Sequence, residues 1–414
     1  MENRIKTGYK QSELGEIPQD WEVVGLGEVA TIKSGGTPST NQSEFWNGNI
    51  LWCTPTDITS LSGKYLFDTN RKISELGLKF SAADLLPAGT ILMTSRATIG
   101  ECAIAAQPMT TNQGFKNFIC KEGMSNEFLY YLLGTQKDKF IELCNGSTFL
   151  EISTTQVRKF LIIIPKSTAE QTAIATALSD TDALIGRLKD LIDKKQAVKT
   201  AAMQTLLTGK TRLPAFAKRP DGTPKTTVKT EYGDVPEDWG VVELGEVAFI
   251  KTGSKNNQDQ KENGQYPFFV RSATVEQIDT YSYDCEAILI PGEGNIGSIF
   301  HYINGKFDAH QRVYVIRDFN NVIGKFVYFA LKQKFGKHAM ENTVKATVDS
   351  LRLPTFQKFK FAIPKSTTEQ TAIAQLLSDM DTEIAALESR LKKIQTIKQG
   401  MMQSLLTGKI RLPF

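Results

Sequence analysis

The chain has 414 residues, 41% hydrophobic and 23% charged, with a net charge of +4 and a pI near 8.6. These are ordinary values for a soluble protein, and they permit nucleic-acid binding without demanding it. No apolar run is long enough to span a membrane, and the polar N-terminus carries no secretory signal. The cysteines (Cys53, Cys102, Cys120, Cys144 and Cys285) are odd in number, scattered and never in a C-x-x-C pair. That points to reduced thiols in a cytoplasmic protein and away from a zinc site.

In chain order, residues 1–163 read as a first globular domain. It opens on GEIPQDWEVVGLGEVATIKSG at 15–35, where a Pro-x-Asp-Trp turn precedes a short helix or strand at L-G-E-V-A. Ile50–Trp52, Thr90–Thr94, Cys102–Ala106 and Phe118–Cys120 read as strands between Gly, Pro and Asn turns. Asn126–Leu133 reads as a helix and Leu161–Ile164 as a closing strand. Residues 164–214 read as one long helix. Ser167 followed by Glu170 has capping-box spacing, in which the hydroxyl takes an orphan N–H and the carboxylate reaches back. Gly209 can close the helix in the left-handed conformation, and Pro214 prevents resumption.

Residues 215–232 are rich in Pro, Lys and Thr and read as a solvated linker into a second domain, which runs to 362. GDVPEDWGVVELGEVAFIKTG at 233–253 repeats the opening of the first domain. Strands are expected at Tyr266–Val270, Ala287–Ile290, Ile299–Ile303 and Val313–Ile316. Residues 363–414 then repeat the long helix, with Ser366, Glu369, Gly408 and Pro413 in the same places. About 30 of the 51 paired positions are identical between 164–214 and 363–413, so this is a true internal repeat.

The second helix carries a heptad seam of Ile373, Leu377, Met380, Ile384, Leu387, Leu391, Ile394, Met401 and Leu405, interrupted at Lys398. The first follows the same frame with Ile174, Leu178, Ile185, Leu188, Ile192 and Leu206, with Thr181, Lys195 and Lys199 also on the seam. Two such seams in one chain fit a coiled-coil pair. The alternative is that each seam packs on its own globular domain or on a partner. Parallel and antiparallel pairing both remain open at this point.

Three apparent catalytic signals fail in context. Gly292, Gly294 and Gly297 match G-x-G-x-x-G, but a strand-like run follows where a dinucleotide site needs a helix. Gly209-Lys210-Thr211 resembles the end of a P-loop, yet Gln204 stands where the motif needs glycine. The three histidines (His301, His310, His338) have no metal-ligand spacing. No methyl-donor glycine loop and no nuclease carboxylate set is evident, so an autonomous enzyme is not expected.

SGGTPST with WNGNILWCTPTDI at 34–58, TSRATIG at 94–100, TNQGF at 111–115 and both IPKS…EQ…LLTGK helices carry a resemblance along the whole chain. It resembles the specificity subunit of a type I restriction–modification system, most strongly in the helices and least in the second domain, where GEGNIG and AHQR replace the commoner loops. The resemblance implies an α+β fold of two mixed α/β target-recognition domains, each followed by a long helix. The helices would pair as an antiparallel coiled coil with pseudo-two-fold symmetry. It further implies that each domain reads half of a bipartite double-stranded DNA site. The helices would set the spacing and dock two modification subunits that methylate adenine N6. Restriction subunits would add translocation and cleavage. S-adenosylmethionine, ATP and Mg would then belong to the partner subunits, with no cofactor and no catalytic or metal site in this chain. The specificity module of another methyltransferase-linked system, or a non-catalytic coiled-coil adaptor, are the alternatives.

Base reading uses paired donors and acceptors in the major groove, Arg on guanine and Asn or Gln on adenine, while Lys, Ser and Thr set register on phosphate. The candidates in the first domain are Thr37, Ser39, Arg96, Asn112, Gln113 and Lys116. In the second they are Lys255, Asn256, Asn257, Arg271, Glu293, His310, Gln311, Arg312 and Lys345. Arg96, Gln113, Gln311 and Arg312 stand out because they lie in the loops that carry the resemblance. If helix length is the ruler, four residues inserted near Gly186 add about 6 Å of helix. At about 3.4 Å per base pair, the unread gap of the methylated motif should lengthen by roughly one to two base pairs. An unchanged gap would refute the ruler.

Overall fold

The computed structural model describes residues 6–144, 150–230, 233–342 and 350–413. The chain forms two compact units, one of residues 1–189 with 389–414 and one of residues 190–388. The unit boundaries fall inside both long helices, so each unit combines one globular segment with part of each repeat.

In the first unit a five-stranded sheet has the order Ala30–Ser34, Phe115–Cys120, Ile91–Thr94, Cys102–Ala105, Tyr65–Leu66. Its strands are apolar on both faces. Ile91, Met93, Ile104 and Phe118 enter one core, with the helix Asn126–Gly134 and with Ile174 and Leu178. Leu92, Ala103, Ala105 and Phe115 face a second core with Leu51 and Cys53. Side chains alternate across a strand, and both faces are covered, so the sequence shows continuous apolar runs instead of alternation. Trp46–Cys53 pairs with Arg71–Ile73 and Thr110–Thr111 beside this sheet, and Trp21–Gly25 pairs with Leu161–Pro165.

The second unit follows the same plan. Its six-stranded sheet runs Phe249–Thr252, Val313–Arg317, Tyr283–Pro291, His301–Ala309, Tyr266–Phe269, Val275–Ile278. Ile288, Ile290 and Ile316 pack under the helix Gly324–Glu341, while Leu289, Val313 and Val315 face a separate core. L-G-E-V forms a short helix in both units, at Leu26–Val29 and Leu244–Val247. The strand expected at Ile299–Ile303 begins instead at His301 and continues to Ala309. Within the expected linker, the described residues 215–230 are not a free segment. Thr227–Thr230 pairs with Gly233–Pro236, and Arg219 and Lys225 bind Glu237 and Asp238 at 2.6 Å each. These ion pairs fold an exposed, basic segment back onto the second unit.

Each long helix spans 39 residues, Thr168–Leu206 and Thr367–Leu405, or about 58 Å. Residues Ile164 and Pro165 belong to the preceding strand and not to the helix. The pairing is antiparallel in both units. In the first, the start of one helix meets the end of the other, where Lys398 binds Asp182 at 2.6 Å and the Thr181 hydroxyl meets the Met401 sulfur at 3.7 Å. In the second, Lys195 binds Glu383 at 2.7 Å, and the buried Lys199 binds Asp381. The seam lysines thus find carboxylates on the opposite helix. Leu188, Ile192 and Ile384 are buried along the seam, while Ile185, Met380, Leu387, Leu391 and Ile394 are half-buried. Ile174, Leu178 and Leu405 join the first globular core, and Leu206, Ile373 and Leu377 the second. The seam is therefore helix-on-helix in its middle and helix-on-domain at its ends. Among the described residues, no helix is long and apolar enough to cross a membrane.

Each unit is closed by the same arginine clamp. Arg411 forks onto Asp20 at 2.9 and 2.7 Å and onto Glu170, with Nη2 at 2.8 Å. Arg212 forks onto Asp238 at 2.8 and 3.0 Å and onto Glu369 at 2.7 Å through two nitrogens. The guanidinium carbons lie 5.9 Å from the Trp21 ring centre and 5.7 Å from that of Trp239. Burial raises the Asp238 carboxyl, but Arg212 and Lys225 outweigh it and hold the group down at about 2. The clamp corrects the capping-box expectation. Ser167 does accept from the Glu170 N–H, but the Glu170 carboxylate turns away to Arg411 and the Trp21 indole. Gly209 and Gly408 both close their helices at φ +70°. A Cβ there would also lie 2.4 Å from Pro236 or 2.5 Å from Pro18.

Glu369 is 1% exposed. Arg212→Ala leaves that carboxylate buried without its cation, so the second unit should lose about 3–5 kcal/mol in urea unfolding. A loss below about 1 kcal/mol, the range of an exposed pair, would deny the clamp its structural role.

Candidate nucleic-acid interface

Three loops of the first unit meet at one edge of its sheet. Residues 35–39 follow the edge strand Ala30–Ser34, residues 95–101 join Ile91–Thr94 to Cys102–Ala105, and residues 112–114 lead into Phe115–Cys120. The backbone ties them together. Gly36 N–H donates to Thr111 O at 2.9 Å, Ser95 N–H to Gly114 O at 2.8 Å, and Ile152 N–H to Ser95 O at 3.2 Å. Gly35 lies so close that a Cβ would come within 2.0 Å of Asn112 O. This contact explains the glycine in SGG.

The loops bring most of the expected residues together. Thr37 and Gln113 are exposed and hydrogen-bonded to each other. Asn112 Oδ1 accepts the Gly114 N–H at 2.8 Å, which shapes the turn. Ser39 is exposed, and its carbonyl accepts the Trp46 indole N–H at 3.0 Å. Arg96 is 46% exposed and lies 2.9 Å from Glu151. Lys116 is the exception. It points inward from its strand, is 4% exposed and lies 3.7 Å from Glu151. Burial pulls its ammonium pKa down. The expected phosphate contact is thus withdrawn from solvent, because both faces of this strand are covered and residues 115–118 are all buried.

The second unit builds the corresponding edge. His310 N–H donates to Phe269 O at 2.9 Å, Gln311 N–H to Lys255 O at 2.9 Å, and Leu351 N–H to Gly292 O at 2.8 Å. Gly253 takes the place of Gly35, with a Cβ position 2.1 Å from Ala309 O. Gln311 Nε2 donates to Asn256 Oδ1 at 2.7 Å, and Asn257 is exposed beside them. Glu293 lies 3.3 Å from Arg312 and 3.6 Å from Arg271, both exposed. Lys255 is turned toward the buried Asp308 at 3.8 Å.

His310 is 5% exposed, and its Nδ1 accepts the Arg312 N–H at 3.0 Å. Burial, then Arg271 and Arg312, lower its pKa. It shapes the turn from inside and does not face outward as a base reader would. Lys345 lies outside the described residues.

Glu151 and Arg352 were not among the sequence candidates. Glu151 faces both Arg96 and Lys116. Arg352 is exposed beside the Glu293 loop, one residue before the short helix Leu353–Gln357. Neither lies in a motif, and only the folding of a distant segment onto the loop edge brings them in.

The exposed groups at this edge are hydrogen-bond donors and acceptors. The glycines at 292, 294 and 297 form a turn between two antiparallel strands, with no helix start to hold a pyrophosphate. Burial keeps the thiols of Cys53, Cys102 and Cys120 protonated, with Cys120 pushed up to about 12. Fork donors, amides and the carboxylates of Glu151 and Glu293 lie on segments fixed by a two-faced core.

Two units that share a backbone frame and differ in the side chains at its loop edge define a two-module recognition protein. The sequence model for the type I restriction modification DNA specificity domain matches residues 18–194 and 236–399. The chain belongs to this type I restriction–modification DNA specificity family, as a specificity subunit. It is 29% identical to the type I restriction enzyme MjaIX specificity subunit of Methanocaldococcus jannaschii, over 99% of this chain and 98% of that one. It is 35% identical to the EcoDI specificity subunit of Escherichia coli over 42% of this chain and 38% of that one. In fold it is similar to the type I restriction–modification S subunit from M. genitalium, with a TM-score of 0.63 and 17% identity over 93% of this chain and 96% of that one.

Gly253→Ala should force the loop from Ala309 apart at a cost of about 1–3 kcal/mol. Thermal melting checks the cost, and an unshifted melting curve would show that the close approach is not required.

Proposed function

We propose that each loop edge reads one half of a bipartite sequence in double-stranded DNA. The observation that carries this reading is one repeated frame with two different sets of outward side chains. The first unit presents Thr37, Arg96 and Gln113. The second presents Asn257, Arg271, Glu293, Gln311 and Arg312. Such side chains meet base edges with matched donors and acceptors, and neighbouring Ser and Thr hydroxyls position the backbone. A net charge of only +4 suits selective contacts better than a uniform electrostatic grip.

The long helices offer the surface on which two modification subunits dock, bringing S-adenosylmethionine to methylate adenine N6 in each half-site. Restriction subunits then contribute ATP- and Mg-dependent translocation and cleavage. In this reading the chain works in the cytoplasm, where the genome is, and contributes sequence choice without bond chemistry of its own.

The test is a genome-wide map of N6-methyladenine in the host, with and without this gene. A bipartite motif that disappears with the gene is the expected result. A map left unchanged in cells that express the modification and restriction subunits would overturn the assignment.

A further inference from the structure

The loop TSRATIG of the first unit and PGEGNIG of the second occupy the same place in their sheets, at 94–100 and 291–297. Their backbones match. Ala97 and Gly294 have φ of +54° and +88°, and Gly100 and Gly297 have +85° and +70°. The third residue of each loop is also tied in the same way, by an isolated antiparallel bridge from Arg96 to Glu151 and from Glu293 to Ser350. Arg96 and Glu293 are therefore equivalent positions of one frame, and they carry opposite hydrogen-bonding characters.

We propose that these two loop residues read opposite bases, Arg96 a guanine in one half-site and Glu293 a cytosine in the other. The inference rests on the half-site reading above. Arginine offers a planar fork of donors and no acceptor, while an ionised glutamate accepts only. In the major groove guanine presents two acceptors, O6 and N7, and cytosine presents the N4 amino donor. Adenine also offers an amino group, but its adjacent N7 acceptor faces a carboxylate unfavourably. A carboxylate on a DNA-facing edge is repelled by phosphate, so its position there calls for a compensating donor. Arg271 and Arg312, at 3.6 and 3.3 Å, supply local positive charge that carries it toward the groove. The three arginines in these pairs are exposed, and ion pairs open to solvent are weak. Exchange for base edges is therefore cheap.

The experiment selects duplexes from a library randomised over both half-sites, using the full chain assembled with its modification subunits, and sequences the bound fraction. The wild-type complex should select a bipartite site with a guanine that depends on Arg96 and a cytosine that depends on Glu293. Arg96→Ala should reduce the guanine preference about tenfold or more at one position, leaving the other half-site intact. Glu293→Gln keeps the side-chain shape but replaces one acceptor with a donor. It should remove the cytosine preference at one position of the other half-site and admit adenine.

Uniform weakening on all duplexes by either variant would overturn the inference and make the residue a phosphate or charge-balance contact. Loss of guanine preference in Glu293→Gln would also overturn it, since the carboxylate would then only position Arg271 and Arg312. A wild-type complex that selects no bipartite sequence would instead remove the half-site reading itself.

Discussion

The clamp of one arginine on two carboxylates is the interaction on which each unit depends. Glu170 and Glu369 are each 1% exposed, and a carboxylate so placed is tolerated when a cation meets it with good geometry. The guanidinium fork supplies that geometry. Its position fixes other choices nearby. The left-handed glycine three residues before the arginine brings the chain against a proline and a tryptophan, and the tryptophan ring lies by the guanidinium. In the first unit the arginine and its buried glutamate are 241 positions apart. The first globular segment is completed only when the end of the chain returns to it.

That closure shapes the helix pair. Long helices with a pure hydrocarbon seam could slide by a heptad, whereas a buried polar residue needs one particular partner. Lys199 with Asp381 in the second unit and Lys398 with Asp182 in the first supply such register marks. The cost of placing lysines on the seam is offset by carboxylates from the opposite helix and by ring faces near the ammonium groups, Phe329 at 5.8 Å from Lys199 and Tyr131 at 5.6 Å from Lys398.

Stability and recognition are spatially separate. The sheets are apolar on both faces and hold their loops rigidly at one edge, with glycines at 35 and 253 permitting backbone contact that no side chain would allow. The ion pairs at that edge are mostly exposed and weak. The side chains can therefore vary without disturbing the core, and one frame can serve two specificities.

The sequence alone determined the architecture in outline. Apolar runs located most strands, the 199-residue repeat located both long helices, and Gly209 and Gly408 marked their ends, because these signals are local and set by backbone sterics. It also separated turn glycines from nucleotide-binding glycines by what followed them. The tertiary structure decided what depended on distant partners. Glu170 and Glu369 fit a capping box by spacing, yet Arg411 and Arg212 claim them. Residues 215–232 look like a linker by composition, yet ion pairs from Arg219 and Lys225 to Glu237 and Asp238 fold residues 215–230 back. Lys116 and His310 lie in or next to the right loops in sequence, yet the two-sided core and the turn bury them, while Glu151 and Arg352 reach the edge without any motif. Spacing along a chain records local geometry, but which carboxylate meets which cation, and which side chain faces out, is settled when segments far apart in sequence pack together.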